Sequence, residues 1–520
     1  MNQKKFYLET VGCQMNVLDS ELIVAELLHR GLQQTFTKKN ADIILFNTCS
    51  VRSHAEEKIY SALGRLKHWK EIKPNGILGV LGCMAQKDQQ LIFRRAPHVD
   101  LILGPGQLDK LPELIQTIET QHIPQMAVSL NRFRGDHQAV EIKESFRQYD
   151  PKRIPQARQS SFQAMVRIMF GCNKFCTYCI VPGVRGPEQS RPANEIVTEI
   201  QKLADQGCVD LTLLGQTVNS YKYQEGERTV RLPELLEKID NINGIRRVRF
   251  VSNYPVGMTN ELLQAVRDLP SVIPYIHVPA QHGADAVLKR MKRMYSVTEY
   301  KELIQRIYAT IPDVAITSDF IVGFCGETEE EFQQTIDLVR YARFKNSFIF
   351  KYSVREGTKA SLMFEDDIPD EIKKRRNNEL LAVQNEISAE WNRCFIGKEV
   401  EILVEGPSKN QMKTLNPEKA QSEESAFLLD DEFPLDNITN KTLISQDGNE
   451  TQIKKENQPV DAQGNLKIVS QKENNHFIQL TGRTPCDRIV VFNGSPELIG
   501  TFQTLKIESS APFTLFGKMK

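Results

Sequence analysis

Apolar runs alternate with amphipathic segments in the first quarter of the chain. Three strands are predicted, and a helical pattern follows each of them: strands at 5–11, 41–47 and 77–81, helices at 20–29, 55–69 and 88–95. Strands that alternate with helices indicate a parallel sheet. The pattern therefore predicts an α/β domain at residues 3–119.

The same alternation continues through the middle of the chain. Six further strands are predicted, and most are followed by an amphipathic helix: 162–169, 210–214, 246–251, 275–278, 314–321 and 347–350. Six βα units are fewer than the eight of a closed TIM barrel. We therefore predict a partial (βα)6 barrel at residues 161–390. The loops at the carboxyl ends of its strands are expected to carry the chemistry.

The remaining residues change character. Short strands separated by Gly and Pro begin at 397 and again at 477, which predicts a small β-barrel at residues 393–520. Residues 408–475 are polar with few aromatic side chains, so we predict a disordered insertion there. Residues 120–160 have no sustained period, and their basic residues Arg153 and Arg158 are expected to lie in a solvated connector.

Composition narrows the class of protein. The 520 residues carry 66 basic and 66 acidic side chains, and this neutral total leaves nucleic-acid binding open. We expect no membrane span, because no run of about 18 apolar residues occurs. No apolar signal-peptide core follows the first residues, so a cytoplasmic location is predicted. Ten cysteines in such a chain favour reduced thiols and metal sites over disulfides.

Three of these cysteines lie in one loop, directly after the first barrel strand. Cys172, Cys176 and Cys179 form a C-x-x-x-C-x-x-C pattern, and no fourth Cys or His is close in sequence. A structural zinc site needs four protein ligands. Three thiolates suit an iron–sulfur cubane that leaves one iron open for a substrate or cofactor. A zinc knuckle with a distant fourth ligand is the alternative.

Three other cysteines follow the three predicted strands of the first domain. Cys13, Cys49 and Cys83 each come directly after one strand. Ligands of parallel sheets bind beyond the carboxyl ends of the strands, so these thiols are expected to converge at one edge. Each alone would more simply be a small buried apolar residue. Their equivalent positions favour a second three-thiolate cluster.

The motifs around these cysteines resemble a known family. Residues 171–179 are similar to the cluster loop of the radical S-adenosylmethionine enzymes. Residues 12–16 (GCQMN), 47–52 (NTCSVR) and 82–83 (GC) resemble the N-terminal domain of the methylthiotransferases. The resemblance implies two 4Fe-4S clusters. It assigns Cys172, Cys176 and Cys179 to the cluster that binds S-adenosylmethionine, and Cys13, Cys49 and Cys83 to an auxiliary cluster.

The C-terminal module resembles the TRAM domain, an RNA-binding barrel. Residues 47–52, 55–58 (AEEK) and 513–517 (FTLFG) are similar to the MiaB-type branch of the family. This resemblance implies methylthiolation of carbon 2 of isopentenyl-adenosine, next to the anticodon of a tRNA. It also implies a flavodoxin- or ferredoxin-type electron donor, a sulfur donor and a monomeric enzyme. Because the target base lies in a single-stranded loop, extruding it is less costly than flipping it from a duplex.

Two alternatives remain at this stage. A sister methylthiotransferase would act on threonylcarbamoyl-adenosine or on a ribosomal protein, and a second alternative is an RNA-binding iron–sulfur or zinc protein without turnover. Tyr254, His282 and Cys325 depart from the family pattern in loops on the substrate side. Arg191 and Glu327 lie in family-like segments, but helix capping or a surface ion pair explains them equally well.

Overall fold

A computed structural model describes residues 3–50, 53–129, 153–415, 442–444, 450–452 and 477–520. In these residues no helix is both long enough and apolar enough to cross a membrane.

The N-terminal domain contains the strands β1 (Lys5–Val11), β2 (Gln33–Gln34), β3 (Ile43–Thr48), β4 (Ile77–Gly82), β5 (Leu101–Leu103) and β6 (Gln125–Ala127). Its helices are α1 (Gln14–His29), α2 (Ser53–Arg65), α3 (Lys67–Ile72), α4 (Cys83–Asp88), α5 (Gln90–Arg95) and α6 (Leu111–Gln121).

This first sheet is parallel throughout, in the order β2-β1-β3-β4-β5-β6. The prediction of a parallel α/β domain is confirmed. Strands β3 and β4 are buried along their whole length, because helices cover both faces of the sheet. Helix α1 begins at Gln14, six residues earlier than the hydrophobic pattern indicated.

The central domain contains β7 (Gln163–Arg167), β8 (Met169–Phe170), β9 (Gln189–Ser190), β10 (Asp210–Leu214), β11 (Lys222–Glu225), β12 (Arg228–Arg231), β13 (Arg247–Phe250), β14 (Tyr275–His277), β15 (Ala315–Val322) and β16 (Asn346–Lys351). Its helices are α7 (Val181–Arg185), α8 (Ala193–Asp205), α9 (Leu232–Asp240), α10 (Asn260–Asp268), α11 (Asp285–Arg290), α12 (Val297–Thr310), α13 (Glu329–Ala342), α14 (Lys359–Met363) and α15 (Asp370–Arg393).

Six of these strands form the partial barrel. They pair in parallel as two groups of three, β7-β10-β13 and β14-β15-β16. The Ile273 amide donates to the Val248 carbonyl at 3.0 Å and links the two groups. Helices α12 and α13 begin where the sequence provides caps. Ser296 and Thr328 both form capping boxes, with glutamates three residues further on.

The C-terminal domain is a closed barrel of β17 (Glu399–Pro407), β20 (Ile478–Arg483), β21 (Ile489–Gly494), β22 (Phe502–Ala511) and β23 (Thr514–Met519). Strand β17 pairs with both β20 and β22, which closes the circle β17-β20-β21-β23-β22. The predicted insertion contributes α16 (Lys409–Leu415), β18 (Thr442–Ile444) and β19 (Glu450–Gln452). Its other residues, and with them the prediction of disorder, lie outside the described part of the chain.

The prediction of a solvated connector is wrong at its second half. The side chain of Arg153 is 6% exposed, and its guanidinium binds Glu21 at 2.8 Å and Glu199 at 3.0 Å. Glu21 belongs to the N-terminal domain and Glu199 to the barrel. Arg158 is also buried. The positive charge of this segment therefore fastens the two domains together, because both carboxylates lie within ion-pair distance.

Candidate active site

The three N-terminal cysteines lie at one edge of the first sheet, as predicted. Cys13 follows β1 and caps α1, Cys49 follows β3, and Cys83 is the first residue of α4 after β4. Strand β3 lies between β1 and β4. The thiols of Cys13 and Cys49 are within hydrogen-bonding distance of each other. Parallel pairing in register thus brings together side chains that are far apart in sequence.

Two buried asparagines fix the ends of β1 and β3. Asn16 donates from Nδ2 to the Thr48 carbonyl and to Asn47 Oδ1, both at 3.1 Å. Asn47 donates in return to the Asn16 carbonyl at 2.8 Å. Both side chains are at most 1% exposed, so these amides satisfy one another inside the protein. The network holds Cys13 and Cys49 on neighbouring, rigid supports.

Gly82 sets the approach of the third cysteine. Its φ is +89°, and a Cβ atom there would lie 2.5 Å from Asn47 Oδ1 and from the Thr48 carbonyl oxygen. Only glycine combines this backbone conformation with so close a contact. The chain can therefore turn sharply from β4 into α4 and present Cys83 beside β3.

The charge around these thiols differs from one to the next. A hydrogen bond with the Cys49 thiol, together with the nearby Arg185 guanidinium, lowers the pKa of Cys13 to about 6. Burial raises the pKa of Cys83, although Arg185 opposes the shift. Arg185 comes from α7 of the barrel and is 2% exposed. A buried cation from the second domain therefore faces the thiols of the first.

The barrel cysteines lie in a loop that is held on several sides. The Cys172 amide donates to the Gly186 carbonyl at 3.0 Å, and the Cys172 thiol lies 3.4 Å from Thr217 Oγ1. Thr177 donates from its amide to the Met291 carbonyl and accepts from the Ala360 amide. Burial raises the pKa of Cys172, and it raises that of Cys179 to about 12, with Cys176 contributing further.

Arg293 is the cation beside this second group of thiols. Its Nη1 lies 3.4 Å from the Cys176 Sγ, and its Nη2 donates to the Pro279 carbonyl at 3.1 Å. The guanidinium carbon is 4.5 Å from the centre of the Tyr254 ring. Tyr254, which departs from the family pattern, therefore packs directly against a residue that contacts the cluster loop.

The arrangement of the thiols discriminates between kinds of metal site. Among the described residues, no three Cys, His, Asp or Glu side chains converge closely enough to hold a single ion. A structural zinc site needs four protein ligands, and each of the two groups offers three thiols. A cubane cluster can be held by three thiolates through separate iron atoms, which leaves its fourth iron open. Two groups of three thiols, each with a cation beside it, fit anionic iron–sulfur clusters.

Arg191 and Glu327 are both buried. Arg191 donates to the Arg167 carbonyl at 2.7 Å and to Glu199 at 2.8 Å. Glu327 lies between His282, at 2.9 Å, and Arg376, at 3.0 Å. The surface-ion-pair interpretation is therefore wrong for both residues. His282 has become the partner of Glu327, and this network supports the loop after β15.

Sequence reasoning missed the two cations beside the thiols. Arg293 lies 117 positions from Cys176, and Arg185 contacts residues of another domain. Only the short spacing between Cys179 and Arg185 gave a signal that this arginine belongs to the site.

Three protein families match successive parts of the chain. Residues 5–104 match Uncharacterized protein family UPF0004, residues 166–339 match the Radical SAM superfamily, and residues 469–520 match the TRAM domain. The three matches follow one another in the order of the three domains of the fold, and each lies within one of them.

Full-length relatives decide the family. A tRNA-2-methylthio-N(6)-dimethylallyladenosine synthase from Rhodopirellula baltica is 47% identical over 517 residues, which cover 99% of this chain and 96% of the relative. The chain belongs to this synthase family. A synthase of the same name from Haemophilus influenzae is 36% identical over 99% of this chain and 92% of its own length. One from Neisseria meningitidis is 42% identical over 81% of this chain and 92% of its own.

Among solved structures, the radical S-adenosylmethionine methyltransferase TsrM from Kitasatospora setae matches 69% of this chain and 74% of its own, with 13% identity and a TM-score of 0.49.

Members of the synthase family are radical S-adenosylmethionine enzymes that use two 4Fe-4S clusters. The predicted family, enzyme class and cofactors are confirmed. The assignment of individual cysteines to each cluster stays a prediction.

Proposed function

We propose that this chain is a tRNA-2-methylthio-N(6)-dimethylallyladenosine synthase, which replaces the hydrogen on carbon 2 of isopentenyl-adenosine in tRNA by a methylthio group. One observation carries the proposal. Two adjoining domains each provide a group of three cysteines, and the buried Arg185 of the barrel binds Asp19 of the N-terminal domain. Near full-length identity of 47% to a synthase of that name supports the choice of substrate.

The chemistry accounts for two metal sites. No side-chain base can usefully remove the hydrogen from carbon 2 of adenine, so the reaction requires radical chemistry supplied by cofactors. When bound, the clusters and S-adenosylmethionine supply the electron, the sulfur and the methyl group. Cys172, Cys176 and Cys179 would hold the cluster that leaves an iron open for S-adenosylmethionine. Cys13, Cys49 and Cys83 would hold the auxiliary cluster.

The protein's own part is to position these groups and to exclude water. Thr177 ties the cluster loop to α11 and α14 through three hydrogen bonds, including one from its Oγ1 to the Arg290 carbonyl at 2.9 Å. Arg293 contacts the Cys176 thiol, and its guanidinium packs against the rings of Tyr254 and Tyr295. A site held this rigidly needs little reorganisation during reaction.

An exposed apolar rim surrounds the mouth of the barrel, and we assign it to the tRNA. The rim consists of Phe175, Val256 and Met294, which are 40%, 63% and 70% exposed. Phe175 follows β8 and Val256 follows β13, while Met294 lies between α11 and α12. The Lys292 ammonium lies 5.7 Å from the Phe175 ring centre. An exposed aromatic ring next to a cation suits a single-stranded nucleic acid.

Phe175 has an unusual backbone conformation. Its φ is +52°, which is rare for a bulky residue, and such strained conformations cluster at functional sites. Replacing Phe175 by Ala is expected to weaken binding of an isopentenyl-adenosine anticodon stem-loop by roughly 5- to 160-fold, because a stacked base contributes about 1–3 kcal/mol. Fluorescence anisotropy at fixed salt measures this change.

Phe36 offers a matched control for this measurement. It is 78% exposed and lies in the N-terminal domain, after the edge strand β2. We expect Phe36→Ala to bind the stem-loop as the parent does, and Phe175→Tyr to retain most of the affinity. Iron content checks that both clusters are intact. Equal affinity of Phe175→Ala and the parent would contradict the assignment of the rim.

The function itself is tested in cells. Deletion of the gene is expected to remove 2-methylthio-isopentenyl-adenosine from total tRNA and to leave isopentenyl-adenosine in its place, as read by nucleoside mass spectrometry. The parent gene on a plasmid should restore the product. Persistence of the methylthio nucleoside would show that the substrate is wrong. Loss of methylthio-threonylcarbamoyl-adenosine instead would favour the sister enzyme.

The remaining partners follow from the chemistry. A one-electron donor of the flavodoxin or ferredoxin type would reduce the clusters, and a separate sulfur donor would replace the sulfur that each turnover consumes. We further propose that the enzyme acts as a monomer in the cytoplasm, where its tRNA substrate is found.

A further inference from the structure

Arg185 is part of the barrel domain, but its side chain lies beside the cysteines of the N-terminal domain. It is the last residue of α7, only six residues after Cys179. Helix α7 packs against α4, the helix that begins at Cys83. The arginine side chain is 2% exposed and reaches Asp19 on α1, the helix that begins after Cys13. One side chain therefore touches both helices that carry auxiliary cysteines.

The known partners of Arg185 do not use its whole guanidinium. Nη2 donates to Asp19 Oδ2 at 3.1 Å, and Asp19 Oδ1 accepts from Arg167 at 2.9 Å. Asp19 thus divides its single negative charge between two cations. The Nη1 atom of Arg185 is buried and has no oxygen or nitrogen acceptor. An unmatched donor on a buried cation is costly unless a further acceptor, preferably an anion, is present.

The neighbours of Arg185 identify that acceptor. Its guanidinium lies within hydrogen-bonding distance of the Cys83 thiol, and it interacts electrostatically with the Cys13 thiol as well. On the other side it faces the Phe170 ring, 5.4 Å from the ring centre, which accepts no conventional hydrogen bond. A cluster bound by three thiolates carries negative charge and presents sulfur atoms as acceptors. Such a cluster would supply the additional negative charge and the hydrogen-bond acceptor for Nη1 that Asp19 does not provide.

We propose that Arg185 is a positioning residue of the auxiliary cluster, donating a hydrogen bond from Nη1 to a sulfur atom of that cluster or of its Cys83 ligand. The inference rests on the proposed function only in requiring a cluster at Cys13, Cys49 and Cys83. Reduction adds negative charge to the cluster, so a buried cation and a hydrogen bond to sulfur stabilise the reduced form. The barrel domain thereby sets the potential of a cluster that the other domain binds.

The test isolates the auxiliary cluster in the full-length chain. The triple variant Cys172→Ala, Cys176→Ala, Cys179→Ala removes the barrel cluster, and the remaining cluster is titrated anaerobically while electron paramagnetic resonance reports its reduction. In this background Arg185→Gln is expected to destabilise the reduced form about tenfold, equivalent to about 59 mV for one electron. Arg185→Lys keeps the charge but loses the planar fork, so a smaller shift in the same direction is expected.

Arg153 provides a matched control. It is also buried and also joins the two domains, through Glu21 and Glu199. Arg153→Gln should leave the potential unchanged. Equal potentials for Arg185→Gln, Arg185→Lys and the parent would overturn the proposal, and so would an equal shift in Arg153→Gln. If Arg185→Gln loses its cluster, Arg185→Lys decides the outcome.

The outcome is separable from that of the proposed function. The titration needs neither tRNA nor S-adenosylmethionine, so a wrong substrate would leave the expected shifts in place. If the triple variant itself binds no iron or sulfide, the auxiliary site is wrong, and the role of Arg185 falls with it.

Discussion

Cys176→Ala is expected to stop the cleavage of S-adenosylmethionine. The amount of 5′-deoxyadenosine formed should fall to that of a protein-free control. Cys176 is the middle thiol of the barrel loop, and its sulfur receives the Arg293 guanidinium at 3.4 Å. Two thiols cannot replace three in holding a cubane with a single open iron. Anaerobic incubation with dithionite, followed by quantification of 5′-deoxyadenosine, measures the loss.

A second buried cysteine of the same barrel controls for the removal of a thiol as such. Cys208 is 1% exposed and packs in the apolar core around β10. Cys208→Ala should therefore retain cleavage and lose only some stability. Substantial 5′-deoxyadenosine from Cys176→Ala would contradict the assignment of the barrel loop as the cleavage site.

Cys49→Ala is expected to separate the two halves of the reaction. Cys49 is buried at the end of β3, between the cysteines that follow β1 and β4. Its loss should remove the auxiliary cluster and abolish the methylthio product. The predicted barrel cluster would be held by Cys172, Cys176 and Cys179 in another domain, so cleavage of S-adenosylmethionine should continue. Nucleoside mass spectrometry and 5′-deoxyadenosine quantification on one reaction mixture measure both activities.

The exposed Cys394 is the control for this second variant. It lies directly after α15, at the junction with the C-terminal domain, so Cys394→Ala should leave both readouts at the parent level. If Cys49→Ala loses cleavage as completely as Cys176→Ala does, the two groups of cysteines do not have separate roles.

The sequence predicted the three strands that precede the cysteines, because each is strand-like and the second and third are largely apolar. Residues 5–11 and 77–81 correspond closely to β1 and β4. The three-residue strands β5 and β6 were missed, since so short a run shows no period. The start of α1 was also missed, because Gln14 and Asn16 look polar although Asn16 is buried in the amide network.

The cations of the site depend on tertiary contacts, which explains why the sequence concealed them. Arg185 and Asp19 lie 166 positions apart, and Arg153 and Glu21 lie 132 apart. No local period links such residues, so the basic residues after Pro151 looked like a surface feature. The cysteine loop was predictable because its whole signature lies within eight consecutive residues.

The closure of the C-terminal barrel brings the two ends of the insertion close together. Leu403 and Arg483 are opposite each other in the β17–β20 pair, as are Pro407 and Leu480, so the insertion starts and finishes at neighbouring positions of one hairpin. The entropy of closing a loop rises only with the logarithm of its length. A longer or shorter insertion at this hairpin should therefore change the stability of the barrel only slightly.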